Sequence, residues 1–424
     1  MNELKVIEEI EKKLEKKFKD VERIAFFNQK KVLDAFREIG VTTAHFVGTT
    51  GYGYTDKGRD DFARVVARIF VAEDALCSPH LTCGTHTIAT ALYGLLRPKD
   101  LLLSISGDLY DTLHDTLYGK DNGSLESLGV QFKFIDLKNG EFDEEKIYKA
   151  VKKLKPRVVF VQKSRGYSDR KAISVDKMVP IFAEIKKLSP NSFIVVDNCY
   201  GEFVELKEPT QVGADVCMGS FIKNIGGSLA PTGGYIVGTK KAIEHIERRF
   251  TCPSLGRETG SYEPGYRLFY QGLFLAPHVV CQAVKGSLLI GEVMKKLGYK
   301  IIPETDETSF DIIKSVVFDT EEELVRFVQL IQKLSPVDSS FIPEPYPMAG
   351  YTTNVIMAAG TFVEGASIEL SCDSPIKKPY IAYFQGGITY EQLKILACEL
   401  LNFKNREQGD LFFFLGLFNR IKYD

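Results

Sequence analysis

The feature that most constrains the fold is an alternation of short apolar runs and amphipathic helical patterns between residues 75 and 238. Helical patterns lie, for example, around 85–96, 143–154 and 175–188. The order predicts an α/β fold with a mostly parallel central sheet and flanking helices. Ligands of such sheets bind beyond the carboxyl ends of the strands, so candidate site residues directly follow the runs. The seven runs are ALCSPHL, DLLLSIS, VQFKFID, RVVFVQ, FIVVD, ADVCMG and GGYIVG.

The segments on either side of this region predict further parts. The first forty residues suggest two amphipathic helices, the second ending at Gly40, followed by a loop rich in glycine, threonine and tyrosine. A long helix is predicted near 270–297, with strand and helix patterns after it. We expect N-terminal helices and an inter-subunit arm over 1–58, a large cofactor-binding domain over 59–270, and a linking helix with a smaller C-terminal α+β domain over 271–424.

Composition excludes several classes of function. Lys plus Arg is 54 and Asp plus Glu is 56, which gives no sign of a nucleic-acid or membrane-surface partner. The eight cysteines form no CxxC pair and the six histidines no HExxH pattern, so no metal site is expected. The N-terminus lacks the apolar core of a signal peptide, and no run approaches a membrane-spanning length. We expect a cytoplasmic protein.

Lys223 lies in an unusual place for a surface lysine. It follows an apolar run within the Gly- and Ser-rich segment GSFIKNIGG. A lysine that attacks an aldehyde must be neutral, and burial beside Phe221 and Ile222 would lower its pKa. Ser220, three residues earlier, could bind a phosphate. The Ser-x-x-Lys spacing is common, however, and taken alone it is more often structural.

Three more positions follow predicted strands. Asp197 ends the run FIVVD and could pair with a protonated ring nitrogen, or only cap a helix. Gly84 and Thr85 open a helix whose free N–H groups can bind a phosphate, although simple capping is common. Tyr110 could stack on a ring or merely pack. Together with Lys223, these residues supply what pyridoxal 5'-phosphate (PLP) needs in a fold type I enzyme.

The segments that contain these residues resemble the methionine gamma-lyase family of the aluminium-resistance type, relatives of the cystathionine beta- and gamma-lyases. The resemblance covers nearly the whole chain. It implies a type I PLP-dependent transferase-like fold, with Lys223 as the Schiff-base lysine, Asp197 as partner of the pyridine nitrogen and Tyr110 as the stacking ring. It also implies Gly84, Thr85 and Ser220 as phosphate ligands. The segments are GYGYTDKGRD, CGTHTIA, SGDLYDTL, QKSRGYSDR, VVDNCYGEF, GSFIKNIGG, APTGGYIVG, YQGLFLAPHVV and YFQGGITY.

The resemblance also implies an assembly. In the related lyases a tyrosine and an arginine of a neighbouring subunit reach the phosphate, and here the segment from Tyr52 to Arg59 resembles that arm. Tyr52 and Tyr54 are both candidates, and we prefer Tyr54 together with Arg59. We therefore expect a homodimer or homotetramer with shared active sites. The alternative is a loop whose aromatic residues pack on their own domain.

One departure from the family pattern concerns the substrate carboxylate. An arginine usually follows the PI of the segment SPIKKPY, where this chain has Lys377 and Lys378. Lysine cannot form the planar bidentate pair that arginine makes with a carboxylate. Arg165, Arg170 and Arg267 are other candidates. We rank Arg165 first because it follows the run RVVFVQ at the cofactor end of the sheet.

The resulting hypothesis is a PLP-dependent carbon-sulfur lyase that acts on a small sulfur-containing amino acid and releases ammonia, a 2-oxo acid and a thiol. Lys223 would take the Cα proton, and Tyr110 would protonate the departing sulfur. β-Elimination needs fewer proton transfers from these residues than γ-elimination does, whereas the family name points to γ-elimination. An aminotransferase and a non-catalytic PLP-fold scaffold are the alternatives, since fold alone does not separate them. A dinucleotide or P-loop site is disfavoured because the required glycine spacings are missing.

Overall fold

The computed structural model describes residues 2–348 and 350–405. Over these residues the α-helices are α1 (Asn2–Ile39), α2 (Lys57–Ile69), α3 (Gly84–Leu95), α4 (His114–Leu117), α5 (Glu144–Leu154), α6 (Val175–Leu188), α7 (Lys240–Phe250), α8 (Arg267–Lys296), α9 (Glu321–Lys333) and α10 (Tyr390–Leu400). The strands are β1 (Asp74–Ser78), β2 (Leu101–Ser104), β3 (Gln131–Phe134), β4 (Val158–Gln162), β5 (Phe193–Asp197), β6 (Val216–Ser220), β7 (Gly234–Gly238), β8 (Lys300–Ile302), β9 (Ile313–Phe318), β10 (Val355–Ala358), β11 (Ser371–Pro375) and β12 (Tyr380–Gln385).

The large domain is built on a seven-stranded sheet of order β1-β7-β6-β5-β4-β2-β3. Strands β3, β2, β4, β5 and β6 are parallel to one another, and β7 is antiparallel to both β6 and β1. Each of the seven predicted runs overlaps one of these strands, and five of the runs contain theirs entirely. Strands β4 to β7 are buried along their whole length, which explains why their sequences are continuously apolar. The predicted α/β fold class is confirmed.

The smaller domain contains a five-stranded antiparallel sheet of order β10-β11-β12-β9-β8. Its core joins apolar residues of this sheet to residues of α8, α9 and α10. The first strand of this sheet, β8, follows α8 in the chain. In space the sheet lies beside the carboxyl edge of the large sheet, because residues of both sheets line one cavity. The predicted α+β character of the C-terminal part is therefore also confirmed.

The N-terminal segment differs from the prediction of two helices, because α1 is one continuous helix of 38 residues. The charged stretch KKFKD interrupts the apolar pattern, but it contains no residue that ends a helix. Gly40 then adopts a φ of 71°, as a helix-ending glycine does. Near its start α1 contributes Ile7 to the small-domain core, and near its end it contributes Val32 to the large-domain core.

Helix α8 corrects the expectation that no run approaches a membrane-spanning length. Its 30 residues are long and apolar enough to cross a membrane by length and composition, but 72% of the relevant window is buried inside the structure. Leu273 lies in the large-domain core and Leu289 in the small-domain core. A helix that is buried on most sides is apolar all round for that reason, so the feature is weak evidence for a membrane span.

Candidate active site

A cavity of about 200 Å³ lies between the carboxyl edge of the large sheet and the small domain. In the large sheet, Gln162 of β4 is paired in register with Asp197 of β5, and Asp197 is paired with Met218 of β6. The residues that follow these strand ends therefore face one another. Six residues predicted from the sequence line this cavity together: Gly84, Thr85, Tyr110, Asp197, Ser220 and Lys223.

The N-terminus of α3 forms one end of the cavity. Cys83 is the N-cap residue, and its Sγ accepts a hydrogen bond from the backbone N–H of His86. A Cβ atom added to Gly84 would lie 3.7 Å from the Cβ of Ser220 and 3.9 Å from the Nζ of Lys223. The glycine thus leaves open a space between the helix terminus and the lysine. Free N–H groups and the positive end of the helix dipole favour an anion in such a space.

Lys223 follows β6 and projects into the cavity, with its Nζ 4.1 Å from the centre of the Tyr200 ring. Burial lowers its pKa, but the acidic groups of Cys199, Tyr200 and Asp197 raise it more, and the pKa lies above its ordinary value. The expectation that burial would give a lowered pKa is therefore wrong. The sequence indicated the apolar neighbours of the lysine but not the acidic groups that the fold gathers around it.

Asp197 ends β5, and its Oδ1 accepts a hydrogen bond from the backbone N–H of Cys199 at 3.1 Å. Burial raises the pKa of this carboxyl group, and the nearby charge of Lys223 partly offsets that rise. A carboxylate placed in this way can accept a further hydrogen bond from a protonated nitrogen in the cavity. This is the geometry that the predicted pyridine partner requires.

Tyr110 is held by other tyrosines. Its hydroxyl and that of Tyr351 are 2.7 Å apart, and its ring meets that of Tyr167 edge to face at 5.7 Å. Burial raises the pKa of Tyr110 well above its ordinary value. The phenol therefore keeps its proton at neutral pH. Sequence reasoning missed Tyr351, because it lies in a loop with no periodic pattern.

Arg165 follows β4 as expected, but the structure does not support a role in binding the substrate. Its Nη1 donates to the carbonyl of Ile302 at 2.8 Å, and its Nη2 forms an ion pair with Asp311 at 3.3 Å. The guanidinium of Arg165 therefore binds groups of the small domain, and the sequence could not indicate these partners. In the described part of the chain, neither Arg165 nor Arg170 nor Arg267 lines the cavity.

The predicted arm residues lie outside the cavity of their own chain. Arg59 is buried near the start of α2, where it donates to the carbonyl of Gly53 at 3.0 Å and pairs with Asp60. Tyr54 is exposed and stacks on Tyr52 with 5.2 Å between the ring centres. A role at the site of a neighbouring subunit therefore stays a prediction.

The small domain supplies cavity residues that the sequence reasoning missed. Asp373 of β11 and Gln385 at the end of β12 line the cavity together with Tyr167 and Tyr383. Asp373 and Tyr383 are paired across the two strands. The segment YFQGG was noticed only as part of the resemblance. β11 has only five residues and all of them are buried, so its sequence shows no alternation of polar and apolar residues that would indicate which face of the sheet Asp373 occupies.

Glu202 is a further buried acid that the sequence reasoning missed. It is fully buried, and its Oε1 accepts a hydrogen bond from the hydroxyl of Tyr235 at 2.8 Å. Its Oε2 has no hydrogen-bond partner among the described residues. Burial raises the pKa of this carboxyl group to about 8. The group therefore holds a proton at neutral pH, and its charge next to Lys223 appears only in alkaline solution.

This pKa predicts a pH dependence of stability. Between the ordinary pKa of 4.5 and about 8, the folded chain retains a proton that the unfolded chain has lost, so stability falls as pH rises through this window. Glu202→Gln removes this contribution. We expect the decrease in Tm between pH 5.5 and pH 8 to be smaller in the variant by about 2 °C or more. Glu145→Gln, at an exposed position, is the control; equal pH dependence in the wild type and Glu202→Gln would contradict the assignment.

Comparison with known proteins gives a consistent result. The sequence model of the methionine gamma-lyase family matches residues 3–404. The uncharacterized protein YnbB of Bacillus subtilis is 43% identical over 91% of this chain and 92% of its own. The structure of a carbon-sulfur lyase involved in aluminium resistance from Clostridium novyi is 43% identical, covers 96% of both chains and superposes with a TM-score of 0.90.

More distant structures share the fold alone. The PLP-dependent protein YhfS of Escherichia coli has a TM-score of 0.58 at 17% identity, with 91% of this chain and 96% of that chain covered. The architecture is therefore that of the fold type I PLP-dependent enzymes. From the extent of the family match and the high identity to whole-length relatives, the chain belongs to the methionine gamma-lyase family.

Proposed function

We propose that this protein is a PLP-dependent carbon-sulfur lyase that acts on a small sulfur-containing amino acid. The observation that carries the proposal is that Lys223, Asp197 and the N-terminus of α3 meet in one cavity at the carboxyl edge of the sheet. Membership of the family and the similarity to a carbon-sulfur lyase of known structure support it.

The residues present fit PLP. Gly84, Thr85 and Ser220 would hold the phosphate at the helix terminus, where a side chain at position 84 would fill the space next to Lys223. Asp197 would accept a hydrogen bond from the ring nitrogen, and Tyr110 would cover the ring. Lys223 would form the covalent link. When bound, PLP withdraws electrons from the Cα atom of the substrate.

The proton transfers are assigned to the residues of this chain. Lys223 accepts the Cα proton, because it carries the only amine among the cavity-lining residues of the described chain. The phenol of Tyr110 lines the cavity, is protonated at neutral pH and donates to the departing sulfur. The products are ammonia, a 2-oxo acid and a thiol. Loss of a γ-substituent needs one more proton transfer than loss of a β-substituent, so the residues favour β-elimination.

We further propose that the active sites are shared between subunits. Lys223 is the only cation among the cavity-lining residues of the described chain, so the phosphate side has no cation of its own. Arg59 and Tyr54 of a neighbouring subunit would supply a charge and a hydroxyl group there. Arg59 now donates to the carbonyl of Gly53 and to the carboxylate of Asp60. Both partners belong to the same short segment as Arg59, so the whole segment could reach a neighbouring subunit together with them.

Lys223→Ala is expected to abolish covalent attachment of PLP, because no other amine lines the cavity in the described chain. Borohydride reduction followed by peptide mapping measures this directly. In the wild type and in Lys207→Ala, an exposed control, the label should lie on the peptide that contains Lys223. A pyridoxyl label on any other lysine would overturn the assignment, and an unchanged Tm would show that the alanine variant folds.

The wild-type protein is expected to form 2-oxo acid, ammonia and thiol from at least one of cystathionine, cysteine and methionine, without a keto-acid acceptor. Lys223→Ala should lower the rate by more than about 10³-fold, because the base is lost. If none of these substrates reacts while the cofactor remains attached, the lyase proposal fails. Conversion of the cofactor to its amine form, reversed by a keto acid, would instead identify an aminotransferase.

Mixing two inactive variants tests the shared site. Arg59→Ala should weaken PLP retention, and Lys223→Ala should lack the link. In a mixed dimer one site has both its own Lys223 and the Arg59 of its partner, so co-refolded chains should recover activity that neither variant shows alone. Lack of recovery, although mixed dimers form, would mean that Arg59 acts within its own chain.

A further inference from the structure

One side of the cavity, formed by the small domain and the loop after β4, carries a cluster of tyrosines around one carboxylate. The rings of Tyr167 and Tyr351 lie 5.5 Å apart, and those of Tyr167 and Tyr383 lie 5.2 Å apart. Asp373 lies among them, with its Oδ2 accepting a hydrogen bond from the hydroxyl of Tyr167. We call Asp373 and these three tyrosines the tyrosine-carboxylate wall. The proposed elimination uses none of the four.

Asp373 carries a buried negative charge without a cationic partner. Its side chain accepts one neutral hydrogen bond on each oxygen, from Tyr167 and from Gln385, the latter at 2.8 Å. Among the described residues no lysine, arginine or histidine forms an ion pair with it. Burial raises its pKa to about 6, while Tyr167 and Lys223 act in the opposite direction. The group is therefore mostly ionised at neutral pH, and a buried charge of this kind is costly unless it is paired.

The chemistry of the wall favours a positively charged ligand. Each oxygen of Asp373 has a lone pair left after its single hydrogen bond, so an ammonium group can donate to both. Aromatic faces around a carboxylate also attract a cation. A second carboxylate would be repelled, and a purely apolar group would leave the charge unpaired. Lys223, the one cation lining the cavity in the described chain, is already assigned to the cofactor.

We propose that the tyrosine-carboxylate wall binds an ammonium group at the far end of the substrate side chain. The inference rests on the proposed lyase function, because it names the substrate class: a thioether amino acid whose departing thiol carries an amine. For β-elimination, the Cβ–S bond breaks and the Cα–H proton is removed. One water is consumed, and the products are a 2-oxo acid, ammonia and an aminothiol.

A matched pair of compounds tests the wall. S-(2-aminoethyl)-L-cysteine and S-propyl-L-cysteine have side chains of equal length and differ in a terminal ammonium against a methyl group. The wild type should favour the first by about tenfold or more in kcat/KM for 2-oxo acid formation. In Asp373→Asn this ratio should fall to about threefold or less. Asp111→Asn, which removes a carboxylate outside the cavity lining, should keep the wild-type ratio.

Binding gives a second measurement that does not depend on turnover. Isothermal titration of the holoenzyme after borohydride reduction of its cofactor link, a form that does not turn the two compounds over, should show tighter binding of the aminoethyl compound. This difference should decrease from pH 7.5 to pH 5.5, because Asp373 gains a proton as pH falls through about 6. Tyr167 and Tyr383, which lie beside Asp373, have raised pKa values and keep their protons over this range. This measurement also serves if Asp373→Asn fails to fold.

The outcomes separate the two proposals. Equal kcat/KM and equal affinity for the two compounds would overturn the wall as an ammonium site and leave the lyase proposal intact. No 2-oxo acid from any thioether amino acid, with PLP attached to Lys223, would overturn the lyase proposal. In that case tighter, Asp373-dependent binding of the aminoethyl compound would still support the wall, and its absence would end that inference too.

Discussion

The hydrogen-bonded register of β4, β5 and β6 is the constraint on which the candidate site depends. Gln162 lies opposite Asp197, and Asp197 lies opposite Met218, so three consecutive parallel strands end at the same edge. A shift of one residue would turn Asp197 to the opposite face of the sheet. The apolar residues of these strands pack into separate cores on the two faces of the sheet, and a shift of one residue would exchange side chains of different size between those cores.

Several acidic side chains lie near Lys223 in the cavity. Lys223 is influenced by Asp197, Cys199 and Tyr200, and these acidic groups outweigh the effect of burial on its pKa. Glu202 adds a carboxyl group that is neutral at physiological pH. Asp197 and Lys223 are both assigned to the cofactor, so the proposal leaves Asp373 as the cavity carboxylate that would bind a cationic group of the substrate.

Much of the large domain could be predicted from the sequence, because each buried strand is a short apolar run and its last residues carry the chemistry. Lys223 and Asp197 were found in this way. The acid Glu202 and the carboxylate Asp373 were not, because their significance comes from contacts between segments far apart in sequence. Arg165 shows the same limit: its position after β4 was predicted, but its partners Asp311 and Ile302 belong to the other domain.

The continuity of α1 was beyond reach of local patterns, whereas the long helix α8 was predicted near 270–297. Together the two helices have a mechanical consequence. Each helix has one end in the core of the large domain and the other in the core of the small domain, and the two pack along each other. A hinge motion between the domains would have to bend both helices. Because this resists opening of the domains, we expect substrate entry to rely on side chains and loops at the rim of the cavity, among them the loop that carries Tyr351.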